Sequence, residues 1–151
     1  MLELARESDW QEIKRLSVQI HDLHAAWRPD IYISVEEPYP YEVFLQDMQK
    51  RQVYVAKLEE NIIGYVVLST ALKEGAGTVK RKIMRLESIC VDEPFRGHGL
   101  GKKMVNDVWA LAKAFRCSQL MLGVHAENDS AIGFYQKCGF RIRTINMDMD
   151  V

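Results

Sequence analysis

Apolar residues recur at three- and four-residue intervals over Trp10, Ile13, Leu16, Ile20, Leu23 and Trp27, the spacing of one helical face, with Asp9 placed as an N-cap. Ahead of them, Leu2–Arg6 alternates apolar and polar side chains as a short strand does. The stretch from Arg28 to Tyr41 holds Pro29, Pro38 and Pro40 and excludes a regular helix. A second, shorter helix is predicted from about Tyr41 to Lys50. Val53–Leu58 and Ile62–Ala71 are rich in β-branched and aromatic residues, and Glu59-Glu60-Asn61 between them completes a hairpin signature. Lys73–Thr78 carries two glycines and predicts another turn, with Lys80–Val91 as the next strand of a meander. Leu100, Met104, Val108, Leu111 and Phe115 then form one apolar stripe, so Gly99–Phe115 is expected to be helical. Gln119–His125 reads as a strand and Ser130–Lys137 as a short helix. From Phe140 to Val151, Ile142, Ile145, Met147 and Met149 stand among polar neighbours as in a closing strand.

The predicted order is β-α-α-β-β-β-α-β-α-β, an antiparallel meander feeding a strand–helix–strand crossover. That is an α+β fold with a mixed, mostly antiparallel sheet flanked by helices. With 151 residues and no repeat, low-complexity stretch or linker, residues 1–151 are expected to form a single domain. The chain is 48% apolar and 27% charged, as ordinary globular proteins are. A net charge of −1 gives no electrostatic case for nucleic acid as a partner. No apolar run approaches the ~20 residues that cross a bilayer, and the acidic N-terminus has no signal-peptide pattern, so no membrane association is expected. Cys90, Cys117 and Cys138 form no CxxC pair and read as free thiols of a cytoplasmic protein.

The segment Leu86–Lys103, LESICVDEPFRGHGLGKK, concentrates the chemistry. A strand that ends in closely spaced glycines ahead of a helix N-terminus builds a cradle of inward-pointing amides, and the helix dipole adds about half a positive charge. Such a cradle takes phosphate or pyrophosphate. A dinucleotide fingerprint fails because Gly101 comes one residue early for Gly-x-Gly-x-x-Gly. A Walker loop fails because Lys103 stands where Ser or Thr is needed and Arg96 where the first glycine belongs. The plain alternative is a tight turn whose glycines serve only backbone geometry.

The second segment, HAENDSAIGFYQKCGF, read by itself is a capped helix stopped by Gly139 with an aromatic anchor. Together the two segments resemble the GNAT superfamily of acyl-CoA-dependent N-acyltransferases. Arg96, Gly99 and Gly101, with Gly97 inside, match the family's Arg/Gln-x-x-Gly-x-Gly/Ala pyrophosphate motif. Asn128, Ala131, Phe134, Tyr135, Lys137, Gly139 and Phe140 match its Asn-x-x-Ala-x-x-Phe-Tyr-x-Lys-x-Gly-Phe signature. The resemblance in motif spans Leu86–Phe140, and the element order extends it over the whole chain.

The resemblance implies transfer of an acetyl group from acetyl-CoA to a primary amine, on a small molecule or a peptide, by direct attack. Pantetheine would lie along Ile89, Cys90 and Val91, and the pyrophosphate would be wrapped by Arg96, Gly97, His98, Gly99, Leu100, Gly101 and Lys102, with Asn128, Ala131 and Tyr135 beside the cofactor. Tyr135 stands where the family places a general acid for the leaving thiolate; hydrogen-bonding the sulfur, or a core aromatic role, are the other readings. Glu87 is the candidate base, with a surface carboxylate as the alternative.

The N-terminal half would shape the acceptor site, through Trp27, Arg28, Glu37 and Tyr39, where carboxylates among aromatics suit a cationic amine. His21 and His24, three apart on the first helix, lack a third ligand, so no metal is expected, and His125 ends a strand near the site. The family often ends in two strands, whereas Gly139–Val151 suffices for one, which motivates a homodimer that completes the sheet. A catalytically silent acyl-CoA-binding or sensor domain is the competing function.

Overall fold

The computed structural model describes residues 1–151. The chain forms β1 (Leu2–Leu4), α1 (Trp10–Trp27), α2 (Tyr41–Gln49), β2 (Val53–Leu58), β3 (Asn61–Gly75), β4 (Thr78–Val91), α3 (Leu100–Ala114), β5 (Gln119–Leu122) and α4 (Asp129–Lys137). The five strands lie side by side in sequence order. All neighbours are antiparallel except β4 and β5, which pair in parallel across the α3 crossover.

The sheet is covered on both faces, which is why Ile62–Leu68 reads as an unbroken apolar run rather than an alternation. One face packs Val53, Val55, Tyr65 and Val67 against Trp10, Ile13 and Leu16 of α1 and Phe44 of α2. The other packs Tyr54, Val66, Leu68, Met84 and Leu86 against Met104, Val108 and Ala112 of α3, with Tyr135 of α4 at its margin. Gly64 sets how closely α3 approaches: a Cβ there would lie 2.8 Å from the Cys90 carbonyl oxygen and 3.0 Å from the Met104 sulfur. A β-bulge separates the pairs Val67↔Ser88 and Leu68↔Leu86, leaving Glu87 as the extra residue.

Three boundaries differ from the sequence expectation. β3 and β4 extend to a two-residue turn at Ala76-Gly77, because their tips pair with each other beyond the core. β5 stops at Leu122, where its pairing with β4 stops. Asp9 accepts from the Arg6 amide at 2.7 Å and so serves the short 3₁₀ turn ahead of α1 instead of capping α1 itself.

The expected closing strand from Phe140 to Val151 does not form. A strand needs a partner edge for its amides and carbonyls, and this segment reaches β5 through a side chain, Arg143 Nη1 to Gln119 Oε1 at 3.1 Å. Its alternating apolar residues stay in solvent, Ile145 78% and Met147 91% exposed. The observed order therefore ends at α4, with β5 as an edge strand.

Candidate active site

β4 and β5 part at a defined point. Their pairing runs from Ile83↔Gln119 to Leu86↔Leu122 and then ends, so Glu87–Val91 keep β3 on one side and no strand on the other. The result is a wedge-shaped gap whose wall is the main-chain edge of Ile89, Cys90 and Val91. The Cys90 side chain points away from it, buried, with its thiol 3.4 Å from the Leu16 carbonyl oxygen. Burial pushes that thiol up to about 11.

The glycine turn closes the gap at one end. Gly97 and Gly99 adopt positive φ of +79° and +82°, a left-handed backbone that side-chain-bearing residues rarely adopt. Alternating handedness turns successive amides the same way. None of the amides from Gly97 to Lys102 donates to a protein acceptor; the first to do so is Lys103, to Gly99 at 3.1 Å. These donors, at the N-terminus of α3 and beside the exposed Lys102, fit a pyrophosphate. Gly101 contributes through its size instead, since a Cβ on it would lie 3.3 Å from the Phe134 ring, and its smallness lets α4 pack against α3. His98 is exposed beside the turn.

Arg96 does not face the turn it introduces. Its Nε donates to the Val91 carbonyl oxygen at 2.8 Å and its Nη2 to the Gln19 side-chain oxygen at 3.0 Å. Gln19 in turn donates to the Asp92 carboxylate at 2.8 Å, which Arg15 also grips through both terminal nitrogens. Those bonds hold Asp92 well below the usual carboxylate range, at about 2.

On the α1 side lies a cavity of about 430 Å³. α1 contributes Ser17, Ile20, His21 and His24 to its wall, the proline-rich loop Pro38 and Tyr39, and α2 Asp47. β3 and β4 form its floor, with Tyr65, Ser69, Glu87 and Ser88. Glu87 and Ser88 are consecutive yet both reach the cavity, as the bulge at Glu87 allows. Glu87 accepts from the Ser69 hydroxyl at 2.5 Å and lies 3.4 Å from Arg85. Burial, followed by the neighbouring His125 and His21, lowers the pKa of His24.

Of the acceptor residues expected from sequence, Tyr39 and Glu87 share this cavity and the others do not. Trp27 packs against His24 outside the wall. Arg28 is tied to Asp30 at 2.7 Å, with Glu127 and Asp148 further out. The Glu37 carboxylate accepts from the Tyr41 amide at 2.8 Å, serving the first turn of α2. His125 bonds the Tyr32 hydroxyl at 3.1 Å and stands next to His24. His21 and His24, which the sequence pairs on one face of the first helix, line the cavity, whereas Ser17, Asp47, Tyr65 and Ser69 are cavity residues that no motif announced.

Tyr135 sits on α4, which Asn128 caps by accepting from the Ala131 amide at 3.1 Å. Its ring packs edge-on to Phe134 and Phe140, and burial pushes the phenol up to about 12. The phenol is thus a hydrogen-bond donor at every working pH.

Comparison with known proteins agrees with this geometry. The acetyltransferase (GNAT) family profile matches residues 18–140, and the chain belongs to that family, whose members use acetyl-CoA. It is 28% identical over 112 residues to a glucosamine 6-phosphate N-acetyltransferase of Trypanosoma brucei brucei, covering 71% of this chain and 73% of that protein. A solved mutant of the BH1408 protein from Bacillus halodurans superposes with a TM-score of 0.94 at 28% identity, over 100% of this chain and 99% of that one. The fold is shared, at 16% identity and a TM-score of 0.73, by an aminoglycoside N-acetyltransferase solved with CoA, over 100% of this chain and 93% of that one.

Proposed function

We propose that residues 1–151 form one acetyl-CoA-dependent N-acetyltransferase domain that acts on a primary amine by direct attack, in the cytoplasm. The observation that carries the reading is the parting of β4 and β5 after Leu86, which sets the Glu87 carboxylate at the junction of the cofactor gap and the cavity. When bound, acetyl-CoA supplies the activated acyl group as a thioester. The amides of Gly97–Lys102 hold its pyrophosphate, and the free edge of Ile89–Val91 holds the pantetheine arm. Glu87 accepts the proton of the incoming ammonium, and Ser69 fixes its carboxylate. Tyr135 donates a hydrogen bond to the departing sulfur and orients it. Direct attack is supported by Cys90, the cysteine of the cofactor strand, whose buried, raised thiol is a poor nucleophile for an acyl-enzyme.

The test is release of free CoA thiol from acetyl-CoA in the presence of amines and peptides. Turnover with at least one acceptor is expected. CoA binding without turnover on any of them would leave a silent acyl-CoA-binding domain.

We also infer a homodimer. The outer edge of β5 and the apolar residues of 142–151 both lack main-chain partners in one copy. A second copy's C-terminal segment, antiparallel across a twofold axis, would pair with both. Light scattering at micromolar concentration should give twice the chain mass; a monomer would contradict it.

A further inference from the structure

The cavity beside Glu87 has a charge pattern that says more about its ligand than the motifs do. Its walls carry two carboxylates, Asp47 and Glu87, and no lysine or arginine. Two cations outside the wall are already paired: Lys14 with Glu37 at 3.4 Å, and Arg85 with Glu87 itself at 3.4 Å, which leaves Asp47 as the carboxylate without a cation. The pKa of His24 is displaced in the direction that favours its neutral form.

Asp47 is held in place for a role at some remove from the reaction. One of its oxygens, Oδ2, accepts from the Tyr39 hydroxyl at 2.9 Å, while its main-chain carbonyl accepts from Gln52 at 2.9 Å. Its other carboxylate oxygen has no protein donor. Tyr39 stacks on Tyr65 at 6.5 Å with 12° between the planes, so an apolar aromatic wall lies beside Asp47. Such a wall takes methylenes, and ring faces attract cations.

Resting on the acetyltransferase reading above, we propose that the acceptor is a linear diamine or polyamine, with one ammonium at Glu87 and a second at Asp47. The ammonium at Glu87 loses one proton to the carboxylate and the neutral amine attacks the thioester carbonyl to form the new N–C bond; as the acyl–sulfur bond breaks, a second proton from the nitrogen passes to the sulfur, which leaves as thiol, and one N–H stays in the amide. The ammonium at Asp47 stays charged and only anchors the chain. An acceptor bearing a phosphate would instead set its negative charge against Asp47, on a wall that carries no lysine or arginine, with Arg85 paired to Glu87 outside it.

The experiment compares kcat/KM for 1,5-diaminopentane, n-pentylamine and glucosamine 6-phosphate, with acetyl-CoA saturating and thiol release as readout. The diamine should exceed the monoamine by about tenfold, beyond the statistical factor for two ends, with the phosphate sugar slowest. Asp47→Asn should collapse the diamine-to-monoamine ratio toward that factor. On the wild-type protein, hexamethonium, a dication that cannot be acetylated, should inhibit about tenfold better than tetramethylammonium. That measurement stands whether or not the variant folds. Equal rates for diamine and monoamine, equal inhibition by the two quaternary cations, or fastest turnover of glucosamine 6-phosphate would overturn the diamine proposal and leave the acetyltransferase reading intact. Acetyl-CoA binding with no thiol release for any amine would overturn both.

Discussion

Arg96 donates to the side-chain oxygen of Gln19 across 3.0 Å, so the arginine of the pyrophosphate motif is bound to α1 and not to the turn it precedes. The same Gln19 oxygen accepts from the Glu93 amide at 3.2 Å, and its nitrogen donates to Asp92. One glutamine therefore anchors the loop between β4 and α3. Gln19→Leu removes all three bonds, two of them to charged groups, and should raise KM for acetyl-CoA by at least about tenfold, with a smaller change in KM for the amine. Steady-state kinetics with each substrate varied in turn separates the two.

Asp92 makes this anchor pH-dependent at the acid end. Its folded-state pKa of about 2 lies below the ~3.9 of an unfolded aspartate. A depressed carboxylate contributes stability above the unfolded value, and that contribution is lost as pH falls through the folded one. Asp92→Asn should melt at a lower temperature than wild type at pH 5 to 7, and the difference should narrow between about pH 4 and 2. Thermal melts across that range provide the check.

The two family motifs touch at Gly101 and Phe134. A Cβ on Gly101 would lie 3.3 Å from the Phe134 ring, so Gly101→Val should cost about 1–3 kcal/mol in stability as well as weakening CoA binding. Adding Phe134→Leu should recover part of the stability. A denaturant-melt double-mutant cycle reads the coupling directly.

Tyr135→Phe tests the donor assigned to the sulfur. With the phenol pushed up to about 12, its part is hydrogen bonding, so kcat should fall about 10- to 100-fold while the dissociation constant of acetyl-CoA stays within about twofold. Wild-type kcat in this variant would reduce Tyr135 to a packing residue between Phe134 and Phe140.

The glycine turn proposed for the cofactor was legible as structure because it is built from one contiguous stretch, where glycine spacing and the strand–turn–helix order state the backbone's needs directly. The cavity proposed for the acceptor was not. Its wall collects Ser17, His24, Tyr39, Asp47, Tyr65 and Glu87 from separate helices, strands and a loop, and no local pattern records which of them meet. Glu37 looked like an acceptor carboxylate, yet its position four residues ahead of Tyr41 is also that of a side chain serving the first turn of α2. The tail after Phe140 alternates like a strand, but alternation specifies a face and not a partner edge, and the tail leaves the open edge of β5 unpaired. The bulge that turns Glu87 and Ser88 together into the cavity left no mark in the residue pattern.

The role of Glu87 is the centre of the account, and the pH dependence of kcat/KM for a primary amine, measured on wild type and Glu87→Gln, tests it most directly. The variant should lose about 10²- to 10⁴-fold at neutral pH, and the deficit should shrink as pH rises toward the amine's own pKa, where the acceptor no longer needs a base. An undiminished rate, or a loss of equal size at every pH, would contradict it.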